Sequence, residues 1–220
     1  MGKTKKNLGI IALMFFGLII PVITVMFSKL GLDRYKAMKA EMIFLKDSFQ
    51  IKEFDLRSHT NQPIVKKDTE GKIFIVNYLD RDCPEVELTN TLDEMKRIQA
   101  EYKKEDGTKI LFLTHLHIAQ DDSTTQASQY IEKYKIDTSN WKIATSPQYN
   151  IPELINTNYK LSKEKGYSTL AVVDPRGYLC NHYDLAVEGM TNKMMTHMTV
   201  LVPVKDRKHI EFKADKNLYD

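Results

Sequence analysis

The sequence predicts an α/β fold, a central sheet with helices on both faces, behind one N-terminal transmembrane helix. Three observations predict it. A long run without charge opens the chain, two apolar β-branched stretches flank a segment of helical period, and strand-like and helix-like patterns then alternate as far as Val202. Composition narrows the class. With 2 Cys, 9 Gly and 7 Pro in 220 residues, and 42% hydrophobic side chains, a disulfide scaffold, a collagen-like chain and a fully disordered chain are excluded.

The uncharged run is Asn7–Ser28. As a helix it would reach about 33 Å, against a hydrocarbon core of roughly 30 Å. Pro21 lies inside it, which a membrane helix accommodates as a kink. Bulky Met26, Phe27 and Leu30 occupy the place where signal cleavage needs small side chains, and no nearby cysteine can take a lipid. An uncleaved anchor is therefore expected. Lys3, Lys5 and Lys6 on one flank are balanced by Lys29, Arg34, Lys36 and Lys39 on the other, so flanking charge assigns no orientation. The formal net charge of +3 belongs to those first three lysines; the 192 residues after Ser28 carry 29 basic and 29 acidic side chains. A neutral domain offers no electrostatic footprint for nucleic acid, so the expected partner is the membrane, through residues 7–28.

The organisation expected is a stub and anchor over 1–30, a juxtamembrane helix or linker over 31–49, a folded domain over 50–204 and a charged tail over 205–220. Good helix formers without breakers fill 32–48. Gln50–Leu56 turns strand-like, and turn chemistry follows at Asn61–Pro63 and Glu70–Gly71. Ile73–Leu79 reads as a strand covered on both faces. From Pro84 to about Tyr102, Leu88, Leu92, Met95, Ile98 and Tyr102 recur at helical spacing. Lys109–Ile118 is a second central strand, completing a βαβ unit whose crossover should be right-handed. Asp122 or Ser123 caps a helix carrying Ala127, Tyr130, Ile131 and Tyr134. Trp141–Ala144 is a short strand, Ile151–Tyr159 a short helix with Pro152 near its start. Thr169–Val173 and Tyr178–Tyr183 form a hairpin around Asp174-Pro175-Arg176-Gly177, a sequence suited to a type I turn. Thr191–Val202 closes the domain as a helix.

A cysteine at the first strand–helix junction, within that element order, is similar to the thioredoxin superfamily, and the chain resembles its SCO/SenC family of membrane-anchored copper proteins from about Phe54 to Val202. The resemblance rests on Phe54-Asp55-Leu56, on Gly71-Lys72 leading into Ile73–Leu79, and on Asp82-Cys83-Pro84. Asp121-Asp122-Ser123, Tyr130-Ile131, Asn140-Trp141 and the Leu170–Gly177 stretch extend it. It implies a thioredoxin-like fold with a mixed central sheet. It also implies a place in the inner (cytoplasmic) membrane with the soluble domain on the periplasmic side, and a role in assembling a respiratory cytochrome oxidase. In that family the junction reads C-P-x-x-C-P and a histidine precedes the hairpin; the two cysteines and the histidine hold copper. Here the junction is Cys83-Pro84-Glu85-Val86-Glu87-Leu88, and Tyr167 falls where the histidine belongs. The resemblance thus assigns the metal positions to Cys83, Glu87 and Tyr167, with two of three ligand types replaced.

Chemistry points the same way. Monovalent copper favours thiolate, thioether or imidazole, and carboxylate and phenol are poor substitutes. Cys83, a candidate redox thiol, has no second thiol one turn on. The helix N-terminus would lower its pKa, whereas Asp80, Asp82, Glu85 and Glu87 would oppose thiolate formation against the one nearby Arg81. His115 and His117 share one strand face and are compatible with metal ligation or with ordinary packing. Met190, Met194, Met195 and Met198 have the spacing of a core stripe. A Cys83–Cys180 disulfide requires the junction and the second hairpin strand to meet. The expected function is a membrane-anchored assembly factor with weakened or lost copper binding. The alternatives are a non-catalytic structural subunit of a membrane complex and a one-cysteine thiol redox protein.

Overall fold

The computed structural model describes residues 3–42, 49–80, 82–106, 110–117, 123–145 and 150–201. The expected charged tail, the Asp106–Gly107 turn as a whole, and the ends of several expected elements (Lys109, Ile118, Asp122, Val202) lie outside those residues, as does Arg81.

Helix α1 runs unbroken from Lys3 to Glu41, with Pro21 inside it. Its 39 residues correspond to about 58 Å. The anchor and the juxtamembrane helix expected from the sequence are thus one element as far as Glu41, with 43–48 outside the described residues. The Phe15–Glu41 part holds a window of mean hydropathy 2.0, none of it buried, and is long and apolar enough to cross a membrane. At its far end Met42 is fully buried, and Glu41 pairs with Lys193 at 2.7 Å and lies 3.6 Å from His197 Nε2.

The sheet has seven strands in the order β2-β1-β5-β4-β3-β6-β7. At its centre β3 (Ile73–Asp80) pairs parallel with β4 (Ile110–His117), and β4 pairs parallel with β5 (Trp141–Thr145). The other pairings are antiparallel: β1 (Asp55–Ser58) with β5 and with β2 (Pro63–Val65), β6 (Thr169–Val173) with β3, and β7 (Leu179–Asp184) with β6. The expected mixed sheet is what the chain forms. Helices α2 (Glu85–Asp106), α3 (Ser123–Tyr134), α4 (Ile151–Tyr159) and α5 (Met190–Leu201) complete it.

Two sequence expectations shift. Gln50–Leu56 does not form a ladder throughout: Gln50 makes a lone bridge with Tyr178, and β1 starts at Asp55. The turn region at Pro63 begins an edge strand instead, where a residue without an N–H is tolerated. Seven of the eight residues of β3 are buried, as the continuous apolar run demands. Leu92, Met95 and Ile98 of α2 have no exposed surface, so the helical period found its core. Inside that core Trp141 Nε1 donates to Thr114 Oγ1 (2.9 Å), which donates to Asn77 Oδ1 (2.7 Å). The methionine stripe also packs: Met194 and Met198 are fully buried, and Met190 and Met195 lie against the same core.

The hairpin turn is held by a buried carboxylate. Asp174 Oδ1 accepts from the N–H groups of Arg176 and Tyr178, both at 2.9 Å, while Oδ2 accepts from the Arg176 guanidinium. Gly177 takes φ +84°, a conformation costly for residues with a Cβ. Its carbonyl receives the Ile51 N–H at 3.0 Å, fixing the entering chain beside the hairpin. Asp174→Ala should therefore destabilise the protein by about 2–4 kcal/mol, whereas removing the exposed partner in Arg176→Ala should cost about 1 kcal/mol or less. Denaturant midpoints of the detergent-solubilised full chain check the contrast.

Candidate functional site

The site lies where the parallel strands end. Asp80 and His117 are register partners at the carboxyl ends of β3 and β4, the edge at which α/β sheets place functional groups. From Asp80 the chain turns sharply: Asp82 N–H donates to Asp80 Oδ1 (2.7 Å) and Cys83 N–H to the Asp80 carbonyl (3.2 Å). Pro84 then accepts the first helical bond, from Leu88 N–H (2.9 Å), so Cys83 lies two residues before the first residue of α2.

The three positions singled out in the sequence converge, through hydrogen bonds to one another and to Asp80. Glu87 Oε1 accepts from the backbone N–H of Tyr167 (2.9 Å) and of Ser168 (3.1 Å), eighty residues away in the chain. The Tyr167 hydroxyl donates to Asp80 Oδ1 (2.7 Å), and the Tyr78 hydroxyl to Asp80 Oδ2 (3.1 Å), lying also 3.5 Å from His117 Nδ1. Gly166 precedes this loop with φ +82°, and a Cβ there would stand 3.4 Å from the same Glu87 oxygen. The loop's other side is fixed by Ser168 Oγ, which donates to Asp184 Oδ1 at 2.6 Å. Glu85, also in the first turn of α2, reaches across to α3: Lys133 Nζ and the Tyr134 hydroxyl each lie 2.8 Å from its Oε1. Those two bonds hold its carboxyl below the usual range.

Cys83 is half-buried and free, and its thiol donates weakly to the Pro84 carbonyl at 3.8 Å. Burial first, then the charges of Glu87, Asp80 and Glu85, push its pKa up to about 12, outweighing the helix N-terminus that would favour the thiolate. Cys180 is buried and free as well, so no Cys83–Cys180 disulfide forms. The strand histidines part company: His117 is exposed at the strand end, and His115 is fully buried against the Tyr159 ring. Among the described residues no group of three or more His, Cys, Asp or Glu side chains is arranged to hold a metal ion.

Copper does not fit the donors at the three positions. Cys83 is held as a thiol, Glu87 is engaged by two amides, and the Tyr167 phenol is committed to Asp80. What the site does offer is space. A cleft of about 490 Å³ opens beside Cys83, lined by Leu88, Leu116, His117, Tyr130, Tyr134 and their neighbours. Val86, facing outward from the first turn of α2, is 73% exposed.

No protein-family model matches the chain, and no curated protein does. Solved structures do match. BsSco, a member of the Sco family of cytochrome c oxidase assembly proteins, superposes with a TM-score of 0.59 at 15% identity, covering 72% of this chain and 96% of its own. A SCO1/SenC family lipoprotein from Bacillus anthracis gives 0.57 at 18%, covering 71% and 96%. Yeast Sco1 gives 0.55 at 16%, covering 70% and 97%. The chain has the Sco fold. It is a thioredoxin-like α/β arrangement, as the element order implied.

Within that Sco fold, sequence reading found Cys83, Glu87, Tyr167 and the acidic surroundings, but missed Tyr78, Ser168 and Asp184. Tyr78 reads only as part of the Ile73–Leu79 strand. The available signal was the Gly166-Tyr167-Ser168 stretch, whose two backbone donors require an acceptor once the loop is buried.

Three outcomes test this geometry. Iodoacetamide should modify the folded chain at Cys83 alone, at a rate rising about tenfold per pH unit and reaching no plateau below pH 10. Asp80→Asn should make the same reaction faster at pH 8, since one opposing charge is gone. Glu87→Ala should destabilise the fold by about 2–3 kcal/mol, and Glu87→Gln by much less, because an amide oxygen still accepts from both N–H groups. Denaturant midpoints report the difference.

Proposed function

We propose that this chain is a member of the Sco/SenC family that assists assembly or maturation of a respiratory cytochrome oxidase by holding a partner rather than by delivering copper. The observation that carries the reading is the Glu87 carboxylate bound to the Tyr167 and Ser168 amides. The family resemblance puts copper ligands at Cys83, Glu87 and Tyr167, and here Glu87 and Tyr167 are joined in an internal clasp. Similarity of fold to BsSco supports the oxidase setting, since that protein belongs to a family of cytochrome c oxidase assembly proteins. The apolar stretch of α1 supports a single-pass anchor, and the family resemblance is what suggests the inner membrane with the domain on the periplasmic side. Around the clasp, exposed Val86 and the cleft beside Cys83 supply the surface for a protein segment. A thiol enzyme is disfavoured because Cys83 stays protonated at physiological pH.

Metal titration and complementation test the reading together. Loaded anaerobically with Cu(I), the full chain should retain well below one ion, whereas the Glu87→Cys, Tyr167→His double variant should retain about one. In cells lacking the protein, Cys83→Ser should restore oxidase activity as well as wild type does. Stoichiometric copper in the wild type, lost in Cys83→Ser together with oxidase activity, would establish delivery instead.

A further inference from the structure

If the chain holds a partner segment, as proposed above, the walls of the cleft beside Cys83 decide which side chain that segment presents. The cleft measures about 490 Å³, within the range that ligand-sized groups fill. Much of its lining is apolar. Leu88 of α2 and Leu116 of β4 contribute, and the Tyr130 and Tyr134 rings of α3 lie beside each other with centroids 4.7 Å apart. Gln126 and Gln129, exposed on α3, add amide groups that both donate and accept.

Charge selects among occupants. Glu85 and Lys133 form a pair at 2.8 Å and cancel each other. Asp80 also lines the cleft, and its oxygens receive the Tyr167 and Tyr78 hydroxyls and the Asp82 N–H, neutral donors that stabilise a carboxylate without cancelling its charge. The junction as a whole is acidic, with Asp80, Asp82, Glu85 and Glu87 against Arg81. Cys83 registers the result: after burial, the charges of Glu87, Asp80 and Glu85 raise its pKa, which marks a place of negative potential. An acidic side chain would be repelled there, and an aliphatic one would strip water from Asp80 without replacing it. Arginine matches both the lining and the charge. Its stem packs on apolar surface, and its planar, weakly hydrated guanidinium stacks on aromatic rings.

We propose that the cleft receives an arginine side chain of the partner, its stem against Leu88 and Leu116 and its guanidinium between the Tyr130–Tyr134 pair and Asp80. Arginine and tyrosine are among the residues that anchor protein interfaces. Gln126 and Gln129 then meet the polar backbone of the same segment. Val86, 73% exposed in the first turn of α2, offers an apolar contact to its flanking side chains. The acids that keep Cys83 protonated thereby acquire a second role, as the charge that selects the partner.

Nuclear magnetic resonance of the full chain in neutral-lipid nanodiscs, with its leucine methyls labelled, tests the site. The probe is a short glycine–serine peptide with one central arginine. Comparison peptides carry citrulline, which keeps the shape without the charge, or glutamate. The arginine peptide should shift the Leu88 and Leu116 methyl signals saturably, and the citrulline peptide should bind about tenfold more weakly. Gln129→Lys, at an exposed position that leaves the fold intact, should weaken arginine binding about threefold, and Gln129→Glu should strengthen it by a similar factor. Equal binding of the citrulline or glutamate peptide, or Leu88 and Leu116 signals that no peptide moves, overturns the arginine site. Copper stoichiometry separates this from the reading on which it rests. A full chain that retains about one Cu(I) ion overturns the partner-holding reading and this site with it. A chain that retains none, and whose cleft does not prefer arginine, overturns this site alone.

Discussion

The charge of Glu87 is the constraint around which the site is organised. A half-buried carboxylate one turn into a helix cannot be left uncompensated, and here two backbone amides of the loop that leads into β6 supply the compensation. Several features follow from that choice. The 166–168 loop must approach α2 closely, which requires a glycine at 166, in a left-handed conformation with the carboxylate 3.4 Å from where its Cβ would be. The Tyr167 side chain is then directed to Asp80 rather than into solvent. The thiol of Cys83, half-buried and next to that carboxylate, is kept protonated. The carboxylate at the position the family resemblance assigns to a second thiol thus ties down the 166–168 loop and adds to the burial that keeps the cysteine unreactive.

Electrostatics explains why the helix terminus fails to activate Cys83. A helix dipole contributes about half a unit charge and acts over roughly one turn. Against it stand burial and three carboxylates, Glu87, Asp80 and Glu85. Glu85 would oppose the thiolate more strongly if it were not tied to Lys133 and Tyr134 on α3. Those ties also define one wall of the cleft beside Cys83, so the same acids that quench the thiol shape the surface left for a partner.

Much of the fold was legible because the central strands are buried on both faces and the helices on one. A continuous apolar run such as Ile73–Leu79 and a stripe such as Leu92, Met95 and Ile98 carry different periods, and each maps onto one environment. The edges were less legible. Gln50–Leu56 has strand composition, yet only Asp55 onward enters a ladder, because the segment before it is placed by bonds to the hairpin turn. Pro63 reads as turn chemistry but opens an edge strand, where a missing N–H costs nothing. At the site, residue types were visible and partnerships were not. That Glu87 would bind amides eighty residues away depends on sheet order, which no local pattern encodes. The pair His115 and His117 shows the converse: alternation correctly placed both on one face, but depth separated them into core and rim.

These contacts also connect the site to α1. Glu41, at the end of α1, engages Lys193 and approaches His197 on α5. His197 Nδ1 bonds the Tyr183 hydroxyl at 2.8 Å, and Tyr183 adjoins Asp184, which holds Ser168. Ser168 and Tyr167 in turn donate to Glu87. Helix, strand and loop are therefore linked by short polar bonds over a packed core, from the apolar stretch of α1 to the first turn of α2. A protein that passes a metal between partners benefits from a loop free to move its ligand. A protein that holds a partner benefits from the opposite, a surface fixed in position relative to its anchor. In the partner-holding role proposed above, the Glu87 clasp and its continuity with the end of α1 supply that fixed surface.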